Sequence, residues 1–287
     1  MPKLAAITEA ILQGDGLFIC ANGLEDLMIT LPKIMVAPNG ARRTKVDHPQ
    51  LPISVGEVVE TAKLCWAAGA TGLHAHVRDE AGAHVLDAGL YRELLDEMQA
   101  ALPEMVVQIT TEAVGFYTPD DQRKLVRNVM PQSVSIALRE LLADGPDRTF
   151  YQWAHAADIG VQHILYDEMD IQLLERELIA GRIPRADLQV ILVLGRYTVD
   201  QYSDPDTLAP LVKQLLRVEP HVDWATCAFG QTETACLQQA FALGGKARVG
   251  FENNFYNKSG ELAKDNAERV AEIAGYSVTS INRLTST

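Results

Sequence analysis

Lys33-Ile34-Met35-Val36-Ala37-Pro38-Asn39-Gly40-Ala41 opens the regular part of the chain, and its reading decides the fold. A short apolar run closed by Pro and Asn-Gly reads as a buried strand followed by a tight turn. In an open doubly wound sheet this first turn carries a G-x-G-x-x-G phosphate loop, and Pro38-Asn39-Gly40-Ala41 does not supply one. Working outward, apolar runs alternate with amphipathic stretches at a spacing of roughly 30 residues, as repeated βα units do. The expected strands are Lys33 to Pro38, Gly72 to Val77, Met105 to Thr111, Ser133 to Leu138, Gln162 to Asp167, Leu188 to Gly195, Asp223 to Gly230 and Ala247 to Asn253. Eight parallel strands close a barrel, so the sequence predicts an α/β fold, a (β/α)8 TIM barrel over 33–287 as a single domain, with an N-terminal extension over 1–32. Helix starts support the pattern. Ser54 and Glu57 have capping-box spacing, and Pro119-Asp120 and Asp204-Pro205 mark the openings of the third and sixth helices.

The 287 residues and 47% hydrophobic content allow a large core, and the formal net charge of −13 argues against nucleic acid or anionic lipid as a partner. Cys20, Cys65, Cys227 and Cys236 form no C-x-x-C pair, which fits reduced thiols in a cytosolic protein. No signal-like opening and no long apolar run point to export or a membrane span, so a soluble, cytoplasmic protein is expected.

His74 and His76 are two apart on the second expected strand, so their imidazoles face the same way and can share one ion. A catalytic metal needs a third ligand and an open position. Glu252 supplies that ligand at the end of the eighth strand, because strands eight and two both flank strand one in a closed barrel. A carboxylate directly after the apolar run Ala247 to Phe251 would be costly without such a partner. Barrel enzymes place their chemistry at the carboxyl ends of strands. Asn39, Arg78, Thr110, Thr111, Glu112, Ser135, Arg139, Gln162, Tyr166, Arg196 and Arg248 are therefore the polar candidates. Thr110 and Ser135 are small hydroxyls suited to binding a carboxylate. Arg248, four residues before Glu252 and so on its strand face, is a fixed charge that can stabilise an anion beside the metal or pair with Glu252 itself.

With these residues assembled, the chain resembles the β-keto acid cleavage enzymes, the family of 3-keto-5-aminohexanoate cleavage enzyme. The matching stretches are A-P-N-G-A-R from Ala37, A-G-A-T-G-L-H-A-H-V-R-D from Ala68, V-V-Q-I-T-T-E from Val106, L-V-L-G-R from Leu192 and R-V-G-F-E-N-N from Arg248. The resemblance implies a barrel binding Zn2+ through His74, His76 and Glu252, with acetyl-CoA as co-substrate and acetoacetate and a new acyl-CoA as products. It also implies that Arg248 acts near the metal, that Thr110 and Ser135 bind the substrate carboxylate, that CoA approaches near Gly195 and Arg196, and that the protein is a homo-oligomer, expected as a tetramer.

Two departures bear on proton transfer. The family's best-known form has an Asp directly after the metal-binding Glu, where this chain has Asn253, and an acidic residue early in the first loop is replaced by Arg42. Glu112 and Asp79 are the substitutes the sequence offers. The fifth strand also lacks the acidic residues that greet an amino group, so a substrate without one is expected. Two rival readings remain: a hydrolase of amidohydrolase type, for which only His163 answers the further histidines required, and a catalytically silent metal-binding barrel.

Overall fold

Ser54 Oγ accepts from the Glu57 N–H at 3.3 Å while Glu57 Oε2 accepts from the Ser54 N–H at 3.1 Å, so the expected capping box does start a helix. In this computed structural model, which describes residues 30–284, that helix is α1, Val55–Ala67. The others are α2 Ala88–Ala101, α3 Pro119–Val129, α4 Arg148–Ala156, α5 Glu168–Ile179, α6 Leu208–Val218, α7 Glu233–Ala242 and α8 Asn266–Leu284. A helical turn, Leu138–Leu141, precedes α4. Thr118 caps α3 with Pro119 in its first turn, and Asp204-Pro205 opens a short 3-10 segment that runs into α6.

Between these helices the described residues form eight parallel strands: β1 Ile34–Val36, β2 Gly72–Ala75, β3 Val106–Thr110, β4 Ser133–Ala137, β5 Gly160–Leu165, β6 Gln189–Leu194, β7 Asp223–Ala228 and β8 Lys246–Val249. They close in sequence order, with β1 hydrogen-bonded to both β2 and β8, and the fold is a TIM barrel. Apolar side chains fill two regions. Val36, Leu73, Ile109, Val134 and Val190 belong to the core that packs the outer face of the sheet against the helices. Leu31, Ile191, Val193, Ala225 and Cys227 form a separate buried cluster.

Some expected boundaries need correcting. β5 starts at Gly160 and ends at Leu165, two residues earlier at each end than the apolar run suggested. β8 stops at Val249, because Gly250 turns the chain with φ 145° and its Cα lies against the Ala37 carbonyl, where a Cβ would meet the oxygen at 2.4 Å. Glu252 therefore stands on a turn beyond the strand, and the strand-face argument linking it to Arg248 does not apply. Of the expected extension, residues 1–29 lie outside the described residues. Within it, the Leu31 N–H donates to Asp223 Oδ2 at 2.6 Å. Cys65, Cys227 and Cys236 are buried free thiols, while Cys20 lies outside the described residues.

Candidate metal centre and the cavity above it

His74 lies within β2 and His76 just past its end. In the parallel register His74 stands opposite Gln108 of β3, and His74 Nδ1 donates to Gln108 Oε1 at 2.9 Å, which leaves the Nε2 lone pair facing inward. Gln108 is held in turn by Nε2 donating to Ser133 Oγ at 3.3 Å. Glu252 reaches between the rings: its Oε2 is 3.7 Å from His74 Nε2 and its Oε1 is 3.5 Å from His76 Nε2. All three donor atoms lie within 4.8 Å of one another, and among the described residues this is the group of three His, Cys, Asp or Glu side chains placed to hold a metal.

Both ring nitrogens of His76 and the Oε2 of Glu252 are buried without a hydrogen-bond partner. Such orphaned groups are expensive in a protein interior unless an ion completes them. Burial, with Arg248 nearby, holds the His74 imidazole well below its usual pKa, so it is neutral. Burial pushes the Glu252 carboxyl up, but His76, His74 and Arg248 together outweigh it and hold the group well below the usual carboxylate range. A neutral imidazole and an ionised carboxylate are the forms in which these side chains ligate a cation. Two nitrogens and one oxygen with an open side match a catalytic metal site.

The turn bearing Glu252 is fixed from several directions. Gly40, at φ 62°, lets the first loop lie directly on Glu252, and a Cβ there would stand 2.7 Å from Glu252 Cγ. The Gly250 N–H donates to Glu233 Oε1 at 3.3 Å, and the Phe251 N–H donates to Asn266 Oδ1 at 2.9 Å. Glu233 of α7 forms a fully buried ion pair with Arg269 of α8 at 2.8 Å. Arg43 donates to the carbonyls of Phe251 and Asn253 and lies over the Phe255 ring.

The sequence candidates separate into distinct roles. Asn253 turns under the loop, with Nδ2 donating to Glu233 Oε1 and to the Arg248 carbonyl, and it lines neither cavity at the barrel mouth. Arg78 binds the carbonyls of Asn39, Gly40, Arg43 and Gly82, so it shapes loops. Asp79 accepts from the N–H groups of Ala81 and Ala83 in a turn, which occupies it locally. Arg139 is bound by Asp167 and Asp170. Gly195 packs on the 201–203 segment, where a Cβ would meet Ser203 Oγ at 2.3 Å.

The cavity beside the candidate ligands is lined by Thr110 at the end of β3 and Glu112 beyond it, Ala137 at the end of β4 and Glu140 beyond it, Ile164 on β5 and Tyr166 just past it, Val193 on β6 and Arg196 past it, Phe229 after β7, and Arg248. Arg248 is buried and makes long contacts with Ser135 Oγ and Cys227 Sγ, both 3.5 Å, leaving its Nε without a partner. Burial pulls its pKa down, but Cys227 and Glu252 more than reverse that, so it stays cationic. Ser135, which touches Arg248, does not line the cavity. Thr110 Oγ1 lines it and accepts from the Glu112 N–H at 3.1 Å. Arg196 Nη2 donates to Glu112 Oε1 at 2.8 Å. This ion pair borders a second cavity, which Asn39, Arg42, Arg43 and Gln201 also line.

Two residues of the site escaped the sequence reading. Gln108 sits in the V-V-Q-I-T-T-E run two positions before Thr110, and a polar residue inside an apolar strand was its only signal. His84 comes from the loop after β2, and no periodicity marks it. Its ring lies 4.9 Å from that of His76, and its Nε2 donates to the Glu112 carbonyl at 3.1 Å. His163, the residue favouring a hydrolase, is buried away from this cavity and lines one at the opposite side with Tyr151 and Ile183.

Comparison with known proteins identifies the family of the chain. The chain is 25% identical over 250 residues to the 3-oxoadipate:acetyl-CoA acetyltransferase of Cupriavidus necator, covering 84% of this chain and 86% of that one. It is 25% identical over 260 residues to the 3-keto-5-aminohexanoate cleavage enzyme of Acetoanaerobium sticklandii, covering 87% and 91%. Among solved structures, ObcA in a ternary complex with a C4-CoA adduct and oxalate superposes with a TM-score of 0.64 at 16% identity. That match covers 80% of this chain and 64% of the ObcA chain, so the present chain spans less than two thirds of ObcA, and the likeness is one of fold. A model of the beta-keto acid cleavage enzyme family matches residues 33–283, and the chain belongs to that family.

Proposed function

We propose that this protein is a zinc-dependent β-keto acid cleavage enzyme. It would condense a β-keto acid with acetyl-CoA and release acetoacetate and the acyl-CoA made from the rest of the substrate. The observation that carries the reading is the pairing of a His74, His76 and Glu252 cluster, short of a ligand, with the buried Arg248 guanidinium in the same cavity. Zinc bound there supplies Lewis acidity to the substrate keto oxygen, worth several kcal/mol of charge stabilisation. Arg248 holds the substrate carboxylate, because it has a fixed charge and no carboxylate in hydrogen-bond contact, and the Thr110 hydroxyl adds a neutral contact. Ser135 acts through Arg248, which it touches. Acetyl-CoA approaches over Gly195 and Arg196, where Arg42, Arg43 and Arg196 give the second cavity a cationic wall for its phosphates. The setting is the cytoplasm and the assembly a homo-oligomer. No described helix is long and apolar enough to cross a membrane.

The test is a turnover screen of zinc-loaded protein on a panel of β-keto acids, with and without acetyl-CoA, with acetoacetate and acyl-CoA followed by mass and His76→Ala as control. Acetyl-CoA-dependent product that vanishes in the control is expected. No product from any acid while zinc stays bound overturns the reading, and product without acetyl-CoA replaces it with a hydrolase.

A further inference from the structure

A histidine that ligates through Nε2 presents its Nδ1–H to the second shell, and the acceptor found there sets both ring angle and basicity. The two histidines here are unequally served. His74 Nδ1 already has Gln108 Oε1 at 2.9 Å, whereas His76 Nδ1 is buried without a partner. With His76 Nε2 turned toward Glu252, its Nδ1 faces the other way, and the carboxylate it meets is Glu112, whose Oε2 stands 3.9 Å off. We infer that Glu112 is the outer-shell acceptor for His76, held ready by Arg196, and so is a positioning residue for the metal centre and not its base. This rests on the metal reading given above.

Glu112 is held at each of its other polar atoms. Its N–H donates to Thr110 Oγ1, its carbonyl accepts from His84 Nε2, and its Oε1 accepts from Arg196 Nη2 at 2.8 Å. Oε2 is left, and it points at His76. Arg196 is itself constrained, its guanidinium lying 5.0 Å from the Phe229 ring centroid. Closing 3.9 Å to hydrogen-bond distance takes about 1 Å of movement, which a side-chain rotation supplies without moving either strand. The chain Arg196, Glu112, His76 thereby connects the wall shared by both cavities to a metal ligand. A co-substrate anion that draws on Arg196 would alter the outer shell of the metal.

The test measures metal affinity directly. Zinc dissociation constants are obtained by competition with a chromophoric chelator for the wild type, Glu112→Ala, Glu112→Gln, Arg196→Met, His84→Leu and Gln108→Ala. Visible spectra of the Co2+-loaded proteins are recorded alongside, with circular dichroism to confirm folding. Glu112→Ala is expected to weaken zinc binding by roughly 10- to 100-fold and to shift the Co2+ bands, as Gln108→Ala does on the His74 side. Glu112→Gln, which keeps an acceptor oxygen, recovers part of the affinity, and Arg196→Met loses less than Glu112→Ala. Zinc affinity in Glu112→Ala within about twofold of wild type, with unchanged Co2+ bands, overturns the inference. Loss confined to His84→Leu overturns it too and gives the acceptor role to His84. A wild-type protein that retains no zinc defeats the underlying metal reading, a result distinguishable from both.

Discussion

Asn39 grips the backbone of His76 at two points, donating from Nδ2 to its carbonyl at 2.9 Å and accepting at Oδ1 from its N–H at 3.3 Å. Strand β2 ends at Ala75, so this side-chain amide takes over from the sheet where the second histidine needs support. Asn39→Ala leaves a buried N–H and a buried carbonyl without these partners. It is expected to lower unfolding free energy in urea by about 2 kcal/mol and to weaken zinc binding with it. Unchanged zinc affinity would show that His76 is held by its ring environment alone.

Gly40 and Gly115 allow a controlled comparison. Both have positive φ, 62° and 77°, but a Cβ at Gly40 strikes Glu252 Cγ at 2.7 Å while one at Gly115 meets nothing within 4 Å. Each substitution to Ala should cost about 1–2 kcal/mol in backbone conformation. Only Gly40→Ala should also displace the Glu252 carboxylate and reduce turnover. Equal activity in the two variants would mean that the loop yields without disturbing Glu252.

Burial of the Glu233–Arg269 pair is complete on both sides, and Arg269 also contacts Glu272 closely. Removing the guanidinium by Arg269→Met strands Glu233 in the interior and should destabilise the protein by about 3–5 kcal/mol. Because Glu233 holds the Gly250 N–H and Asn253, zinc should bind more weakly in whatever folded protein remains. The double variant with Glu233→Gln should regain much of the stability and less of the metal affinity. Denaturation curves and chelator competition separate the two effects.

The fourth expectation concerns pH. Burial pulls the His163 imidazole down from 6.5 to about 4. Between those values the unfolded chain binds the proton and the folded one does not, so the contribution of a neutral His163 is full above pH 6.5 and declines as pH falls toward 4. Over that window the loss amounts to about 3 kcal/mol. His163→Gln should therefore show a flatter stability profile from pH 6.5 to 4 than wild type in chemical denaturation at matched ionic strength. Parallel profiles would show that His163 protonates in place.

The barrel and the convergence of His74 and His76 were legible because both depend on periodicity. Alternating apolar runs gave the strands, and a two-residue spacing put His74 and His76 on one face. Glu252 does stand beside the two histidines, but for a reason other than the expected strand face, since Gly250 ends β8 and a turn carries the carboxylate there. What stayed hidden were relationships set by register and by loops. Gln108 faces His74 only because β2 and β3 pair in that alignment, and His84 arrives by a loop with no pattern of its own. Asn253 illustrates the converse. Its place beside Glu252 in sequence suggested chemistry, but its amide is spent on Glu233 and the Arg248 carbonyl.

His74, His76 and Glu252 straddle the place where the cylinder is sewn shut. One comes from β2, one from just past its end and one from beyond β8, and β1 lies between those strands as the seam. His74 and His76 lie in the first half of the chain and Glu252 in the second, so on the proposed metal reading a nascent or fragmentary barrel would lack the complete set of three. Metal uptake would then report closure of the whole ring. An ion bound there would act as a clasp, tying the first strands made to the last and resisting the opening motion that separates them.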